Sequence, residues 1–319
     1  IPLDIGDNSL VDRYIDIYSR NGKARIINAL SKSGAYRDMI LKTFKEFGLP
    51  EELFYLPIVE SSFSLGDVSR AGAAGLWQIM PHRGRALGLV INYWIDERRD
   101  PEKSTIAACV YLKQLFLMLN DWHLALAAYN RGEYGLLRDM KFSNAPDMDS
   151  VIKRKAAPRE TQNYVPQFIA AVIVGENLKR YGFDNIEYQP PLKYDKVKID
   201  KVIDLKVAAE CAGTTLEEIK RLNPALKAWC TPQGYPNFEL KIPQGSKEMF
   251  LKNIASAKEL NPAPEYIRYR IEKGDYLGKI AKTFRTTEAA ILGDNPQLKS
   301  QKYIQPNQII IIRPGKGYL

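Results

Sequence analysis

The repeat of apolar residues changes partway along this chain, and that change limits what the chain can fold into. Up to about residue 190 the apolar positions recur at three- and four-residue steps, as on one face of a helix. Tyr36, Ile40, Phe44 and Phe47 show the pattern, and Gly48 and Pro50 close that segment before Pro50-Glu51-Glu52 opens the next. Residues 103–119 predict a further helix with Ile106, Val110, Leu112, Leu115 and Leu119 facing inward, and 121–130 and 160–180 predict two more. The stretch QPPLKYDKVKID at 189–200 then breaks the helical period with a proline pair and starts to alternate. A second proline-rich stretch, NPAPEYI at 261–267, reads as the end of a linker.

Behind the first break the chain repeats itself. One copy is IDLKVAAECAGTTLEEIKRLNP (203–224) and the other is GDYLGKIAKTFRTTEAAILGDNP (274–296). Aligning their Asn-Pro pairs superposes Leu205 on Leu277, Ala209 on Ala281, Ile219 on Ile291 and Asn223 on Asn295. Each copy carries two short helical patterns, with an alternating segment in front and an apolar segment ending near proline behind. The prediction is a strand-helix-helix-strand unit that occurs twice. With 319 residues, the chain has room for two or three domains. Its expected class is α+β and multidomain, with a mainly α domain over 1–190 followed by two small βααβ modules over 195–247 and 264–319.

Within the helical part, LFYLPIVESSF (53–63) places a carboxylate at the end of an apolar run. Glu60 follows Leu56 by four residues and Leu53 by seven, so on a helix all three share one face. A carboxylate there loses hydration, which disfavours its charge and raises its pKa toward that of a general acid at neutral pH. The competing reading is a carboxylate satisfied by backbone donors or by an arginine such as Arg70. Ser61 and Ser62 follow, with hydroxyls able to orient it. Downstream, SRAGAAGLWQ (69–78) combines small residues that permit close approach with Trp77 and Gln78, and Ala128-Tyr129-Asn130 again pairs an aromatic ring with an amide. Rings and amides suit the C–H faces and hydroxyl edges of a sugar, although Trp77 by itself reads as core.

Other chemistries recede. There are three cysteines and two histidines, His82 and His123, and neither CxxC nor HExxH occurs, so no metal or cofactor is expected. No histidine lies near a GxSxG elbow. The longest apolar run, FIAAVIVG at 168–175, is far short of the ~20 residues of a membrane-spanning helix. Lys plus Arg total 46 against 37 Asp plus Glu, a net +9 that suits an anionic partner. The basic residues are dispersed rather than massed and no nucleic-acid motif is present, so no nucleic-acid partner is expected.

The run VESSF…SRAGAAGLWQIMP…LALAAYNRG…ETQNYVPQFIAA, with GRALGL (84–89) and DERRDPEKSTIAACVYLKQL (96–115), resembles the lysozyme-like domain of the lytic transglycosylases. SKSGAYRDMILKTFKEFGLPEEL (31–53) fits the membrane-bound type D subgroup. The resemblance implies that Glu60 is the only catalytic carboxylate and that Gln78, Tyr129 and Asn130 line a sugar cleft. It further implies that Tyr164 holds or polarises Glu60, and that Ser61 and Ser69 contact the substrate. FSLGDVS (63–69) departs from the family, whose members commonly carry Asn-Pro after the Phe. The implied reaction cleaves the bond from N-acetylmuramic acid to N-acetylglucosamine and closes a 1,6-anhydro ring without water. Asp67, Asp96, Glu97 and Glu160 are the candidates for the second carboxylate that an ordinary hydrolase on this fold would need. A non-catalytic wall-binding protein is the other alternative.

Residues 267–314 resemble a LysM module, through Gly274-Asp275, Leu277, Ile280-Ala281, Phe284, Ile291, Asn295 and Asn307-Gln308. Glycan contacts are thereby implied for Gly274, Asp275, Tyr276 and Asn295, with Tyr276 standing where Thr is usual. The earlier copy lacks Gly-Asp and is equally readable as a binding module or a spacer. Cys211 and Cys230 sit where an oxidising compartment would permit a bridge, and Cys109 reads as a buried thiol. Together these resemblances imply a monomeric protein acting on peptidoglycan glycan strands in the periplasm, cell-wall associated, and leave open its attachment to the outer membrane through a lipoprotein segment ahead of Ile1.

Overall fold

The structure is a computed structural model, and it describes all residues except 5, 7, 233, 234, 236, 258–265, 302 and 316–319. The linker reading at 261–265 and the opening of the 264–319 module lie outside the described residues. The chain divides into two compact units, Ile1–Tyr194 with Lys220–Ala228, and Asp195–Ile219 with Trp229–Leu319.

The first unit is helical: α1 (Ser9–Ser19), α2 (Lys23–Ser33), α3 (Arg37–Phe47), α4 (Leu56–Glu60), α5 (Pro81–Ala86), α6 (Pro101–Leu119), α7 (Trp122–Arg131), α8 (Glu133–Ser143), α9 (Met148–Lys153) and α10 (Arg159–Glu176). Gly48 ends α3 in the left-handed conformation, φ 66°. The helix expected to open at Pro50 begins as a 3-10 turn, Glu51–Tyr55, and becomes α-helical only at Leu56. Pro57 explains the restart, because it has no N–H to donate back to Leu53. Asp100 caps α6 by accepting from the amides of Glu102 and Lys103, and Asn120 stops it in the left-handed conformation.

The inward face of α6 differs from the expected one. Leu112 and Leu115 are buried as expected, but Ile106 is exposed, Val110 and Leu119 are only half-buried, and Ala107, Ala108 and Tyr111 are buried in their place. The helix is apolar nearly all round, so the pattern leaves the choice of face open. Packing between α3 and α7 selects the side with alanines, where neighbouring helices come closest. Ile40, Phe44, Leu53, Leu56, Trp77 and Phe168 are fully buried in one core.

The second unit holds two two-stranded sheets. Strand β1 (Tyr194–Ile199) pairs with β2 (Phe238–Pro243), with α11 (Leu205–Cys211) and α12 (Leu216–Leu222) in sequence between them. A further helix, α13 (Lys247–Ser256), packs on α11 and buries Phe250. Strand β3 (Ile267–Arg270) pairs antiparallel with β4 (Ile309–Ile312), and α14 (Leu277–Thr283) and α15 (Glu288–Asp294) lie between them in sequence. The predicted strand-helix-helix-strand order is therefore present twice. The chain leaves the second unit within α12 and returns to it at Trp229.

The suggested bridge is corrected by the structure: Cys211 and Cys230 are both free and buried. Each packs as a small apolar side chain, and burial pushes the Cys230 thiol up to about 12 and Cys211 upward too. Cys109 is likewise a free buried thiol.

One close approach fixes how α10 crosses the segment leading to Glu60. A Cβ on Gly175 would lie 2.1 Å from the Tyr55 ring. The Tyr55 hydroxyl in turn donates to Glu176 at 2.8 Å. Gly175→Ala is expected to lower the unfolding free energy by about 2 kcal/mol through overpacking. Urea denaturation of the two proteins measures it, and an unchanged midpoint would contradict this packing.

Candidate active site

Glu60 is the last residue of α4 and is half-buried. The chain leaves it through a sharp turn in which Ser62 and Phe63 both take left-handed backbone angles, φ 51° and 57°. Such angles cost side-chain-bearing residues of order 1–2 kcal/mol each. They are held by Phe63, whose ring is buried and whose amide donates to Pro57, and by Arg25, which donates to the Ser62 hydroxyl at 2.9 Å. Helix α10 brings Tyr164 across, and its hydroxyl donates to Glu60 Oε1. Among the described residues no cation pairs with Glu60, so Arg70 does not serve that role.

Burial is the largest influence on the Glu60 carboxyl and raises its pKa. The Tyr164 hydrogen bond lowers it, and the neighbouring Glu160 charge raises it, leaving the group at about 7. Burial, and then the Glu60 charge, hold Tyr164 well above the ordinary tyrosine range, so it remains a donor.

The loop 69–79 forms the next wall. Ser69 is exposed and shapes its turn, its hydroxyl accepting from the Ala73 amide at 3.0 Å. Gly75 takes φ 80°, and a Cβ there would fall 1.9 Å from the Arg98 carbonyl. Gln78 is also left-handed, φ 45°, and its amide donates to the Gly75 carbonyl at 3.0 Å. Trp77 points the other way, fully buried beside Phe44 with its indole N–H on Thr105 at 2.9 Å. Ser61 is buried beneath this loop, its hydroxyl donating to the Leu76 carbonyl at 2.9 Å. It thus joins the Glu60 turn to the loop and does not face open space.

Helix α7 presents Tyr129 and Asn130 in its last turn. The Tyr129 hydroxyl donates to the Trp77 carbonyl at 2.7 Å. Burial and then the Glu60 charge raise Tyr129 well above the usual range, which places the two groups within electrostatic reach. Asn130 donates to Glu160 at 3.1 Å and accepts from the Thr161 hydroxyl at 2.8 Å, so α10 fixes its amide. Gln78, Tyr129 and Asn130 border a cavity of about 230 Å³ with Met80, His82 and Arg83 among its other walls. Glu60 is not itself one of those walls; Tyr129 is the residue common to the cavity and to the environment of Glu60.

Of the four candidate second carboxylates, Asp96 is buried in an ion pair with Arg98, 2.7 Å, and Glu97 is paired with Lys103 while accepting from the Val90 amide. Of the remaining two, Asp67 and Glu160, it is Glu160 whose charge acts on Glu60. Sequence reasoning missed the ion pair of Arg83 with Glu133, in which one nitrogen contacts both carboxylate oxygens at 2.6 and 2.7 Å. Tyr111 donates to the same carboxylate at 2.8 Å and lies under the Arg83 guanidinium. Burial opposes the charge of Glu133, but backbone and Arg83 hydrogen bonds hold its pKa below the usual range. The residues are fifty apart, so no local pattern announces them.

In the second unit, the four residues implied in glycan contact divide. Asn295 is buried, and its amide bonds Ile291 and both backbone groups of Ile311. Asp275 accepts from Tyr269, the Glu272 amide and Lys279. These two hold the module together. Gly274 takes φ 89° with open space at its Cβ, and Tyr276 is 65% exposed. Asp275, Tyr276, Leu298 and Tyr303 belong to the walls of a groove of about 430 Å³.

Residues 39–151 match the family described as transglycosylase SLT domain, 193–259 the LysM-like domain of lytic transglycosylase MltD, and 269–313 the LysM domain. The chain is 28% identical to the membrane-bound lytic murein transglycosylase D of Escherichia coli (strain K12), over 99% of this chain and 72% of that protein. It is 33% identical over 129 residues to a putative tributyltin chloride resistance protein of Alteromonas sp. (strain M-1), covering 40% of this chain and 58% of that one. Among solved structures it is similar to an inactive mutant of lytic transglycosylase Slt from Pseudomonas aeruginosa, at 26% identity and TM-score 0.39. That match covers 50% of this chain and 26% of the other. The 70 kDa soluble lytic transglycosylase of Escherichia coli matches at 21% identity and TM-score 0.39, over 49% of this chain and 27% of the other. The chain thus spans about a quarter of the length of these two solved proteins.

Two outcomes follow from the electrostatics of Glu60. Because the Tyr164 bond lowers its pKa, Tyr164→Phe is expected to raise the carboxyl titration above that of the parent, as followed by NMR or infrared spectroscopy. Because the folded pKa exceeds the unfolded one, Glu60 favours the fold when protonated and opposes it progressively as pH rises from 4.5 through about 7. Glu60→Gln is therefore expected to raise the melting temperature more at pH 8 than at pH 4.

Proposed function

Since the chain belongs to the lytic transglycosylases, with an SLT domain followed by LysM-type domains, we propose that it cleaves peptidoglycan between N-acetylmuramic acid and N-acetylglucosamine with Glu60 as its acid and base. The observation that carries this is Glu60 itself: a carboxyl near neutrality, without a cationic partner among the described residues, held by a tyrosine that stays protonated. Near pH 7 such a group populates both protonation states, which two successive proton transfers require.

In the first transfer Glu60 gives its proton to the glycosidic oxygen as the C1–O bond breaks, and the N-acetylglucosamine end leaves as an alcohol. In the second, the Glu60 carboxylate takes the proton from the muramoyl C6 hydroxyl as that oxygen bonds to C1 of its own ring. The proton count closes, no water enters, and the product ends in 1,6-anhydromuramic acid. Tyr164 moderates the charge of Glu60 through its hydrogen bond. Gln78, Tyr129 and Asn130 are proposed to hold sugar, Asn130 with one amide hydrogen beyond its bond to Glu160. Ser69 is assigned to the rim, and Ser61 to positioning the Glu60 turn. A C6 hydroxyl already tethered to its target suits a site that holds the ring in one attitude.

Glu160 supports a second reading. It is the one candidate carboxylate that acts electrostatically on Glu60, and a hydrolase needs a partner at ~5–5.5 Å or ~6.5–9.5 Å. Glu160 is exposed and held by Asn130, so it is assigned to tuning Glu60 within the non-hydrolytic reaction.

The groove beside Tyr276 and Tyr303 in the second unit is proposed to hold N-acetylglucosamine-containing strands, with ring faces stacking on exposed aromatics. The name of its Escherichia coli relative, a membrane-bound lytic murein transglycosylase, supports murein as the substrate, and a periplasmic, cell-wall-associated place is proposed with it. No helix among the described residues is long and apolar enough to cross a membrane. The chain is proposed to act as a monomer, without cofactor.

Mass spectrometry of purified peptidoglycan digested by the protein tests the reaction. Muropeptides one water lighter than hydrolytic ones are expected, and Glu60→Gln is expected to abolish them. Water-added products dependent on Glu60 would instead establish a hydrolase.

A further inference from the structure

Residues 223–228 follow the second helix of the first repeat, yet they pack as part of the first unit. The Asp96 amide donates to the Ala225 carbonyl at 2.8 Å, and the Lys227 amide donates to the Trp94 carbonyl at 2.9 Å. Ile95 and Leu226 form an antiparallel bridge between these bonds. The Lys227 ammonium reaches the Asn92 carbonyl at 2.9 Å. A short strand pairing therefore fastens 92–96 to 225–227. Tyr194, also in the first unit, donates to Glu102 at 2.7 Å, a second attachment at the start of α6.

The segment so fastened is the one that holds the cleft loop. Asp96 contacts Arg98 through both carboxylate oxygens, at 2.9 and 2.7 Å, and both residues are buried. Arg98 in turn donates to the Gly72 carbonyl at 2.6 Å and the Ile79 carbonyl at 2.9 Å. Its own carbonyl abuts Gly75, where even a methyl group has no room. These contacts run without a break from 225–227 through Asp96 and Arg98 to the loop that carries Gln78 and accepts the Tyr129 hydroxyl.

We propose that residues 225–227 are a positioning strut of the active site: this stretch of the first LysM-like domain completes the catalytic unit and sets the cleft loop. A loop carrying three positive-φ positions, Gly72, Gly75 and Gln78, beside the reacting carboxyl is sensitive to small shifts, and displacements of about 1 Å can cost up to 100-fold in rate. The strut also gives a positive role to a repeat that lacks the Gly-Asp pair of its sister copy.

The proposed reaction enters only the kinetic arm of the test; amide exchange tests the strut independently. In the unaltered chain, the amides of Asp96 and Lys227 are expected to exchange as slowly as those of α6. Exchange at the rate of an open loop would overturn the strut. Lys227→Pro removes both the amide and the ammonium donor, whereas Lys227→Ala removes the ammonium alone. The proline variant is expected to speed exchange over 69–79 and 91–99, leaving 267–312 unchanged. On purified peptidoglycan it is expected to lower kcat roughly tenfold, with retention on insoluble peptidoglycan within twofold of the parent. Lys227→Ala is expected to show the same changes in smaller measure, and Lys227→Arg to restore them. If Lys227→Pro does not fold, Lys227→Ala combined with Tyr194→Phe replaces it, with at least a threefold rise in exchange over 91–99 expected. A folded variant whose exchange and kcat both stay within twofold of the parent overturns the proposal. An unaltered protein that releases no muropeptides would count against the reaction and leave the exchange result to decide the strut.

Discussion

A carboxyl that burial raises to about 7 sets the constraint on the elements around it in the first unit. Glu60 ends a run of apolar residues, and burial there raises its pKa more than any neighbouring group lowers it. A single neutral donor, Tyr164, tempers that cost without fixing the charge as an arginine would. The surrounding elements serve this balance. Helix α10 must cross close enough to deliver Tyr164, which the missing side chain of Gly175 allows. Two left-handed residues must turn the chain away immediately after Glu60, which Phe63 secures by burying its ring.

Charges elsewhere in the unit are treated differently, and the contrast assigns roles. Asp96, Glu97 and Glu133 all have cationic partners, and their chemistry is spent on holding backbone or helices in place. Breaking a buried pair such as Asp96 with Arg98 typically costs about 3–5 kcal/mol, because the remaining charge is stranded. Such groups are poor acids and good fasteners. Glu60 has the opposite character. The same division appears in the second unit, where Asn295 and Asp275 are occupied in holding the module together and Tyr276 stays exposed.

Much of this was legible in the residues. The period switch near 190 and the repeated strand-helix-helix-strand order follow from local patterning, and both appear in the structure. Glu60 stood out because a carboxylate on an apolar helical face is costly wherever it lies. Trp77, read as core despite its neighbouring amide, is core. Legibility failed where side chains meet across long separations. Arg83 finds Glu133 fifty residues on, and Ser61 turns its hydroxyl to Leu76 beneath the loop. Ile106 faces outward because α6 is apolar nearly all round, so its own pattern cannot choose a face.

The sequence by itself determined which elements form, where the helical part gives way to the repeats, and which carboxylate sits on an apolar face away from water. These depend on interactions within a few residues, which the spacing of apolar, proline and glycine positions records directly. Only the tertiary structure decided which polar groups remain available. It left Glu60 without a cation among the described residues, committed Asp96 and Glu97 to ion pairs, and kept Cys211 and Cys230 as separate buried thiols. It also gave residues 220–228 to the first unit although the repeat assigns them to the second. The physical reason is that hydration and charge are lost or kept according to what the folded chain brings within a few ångströms, and spacing along the chain does not encode that distance.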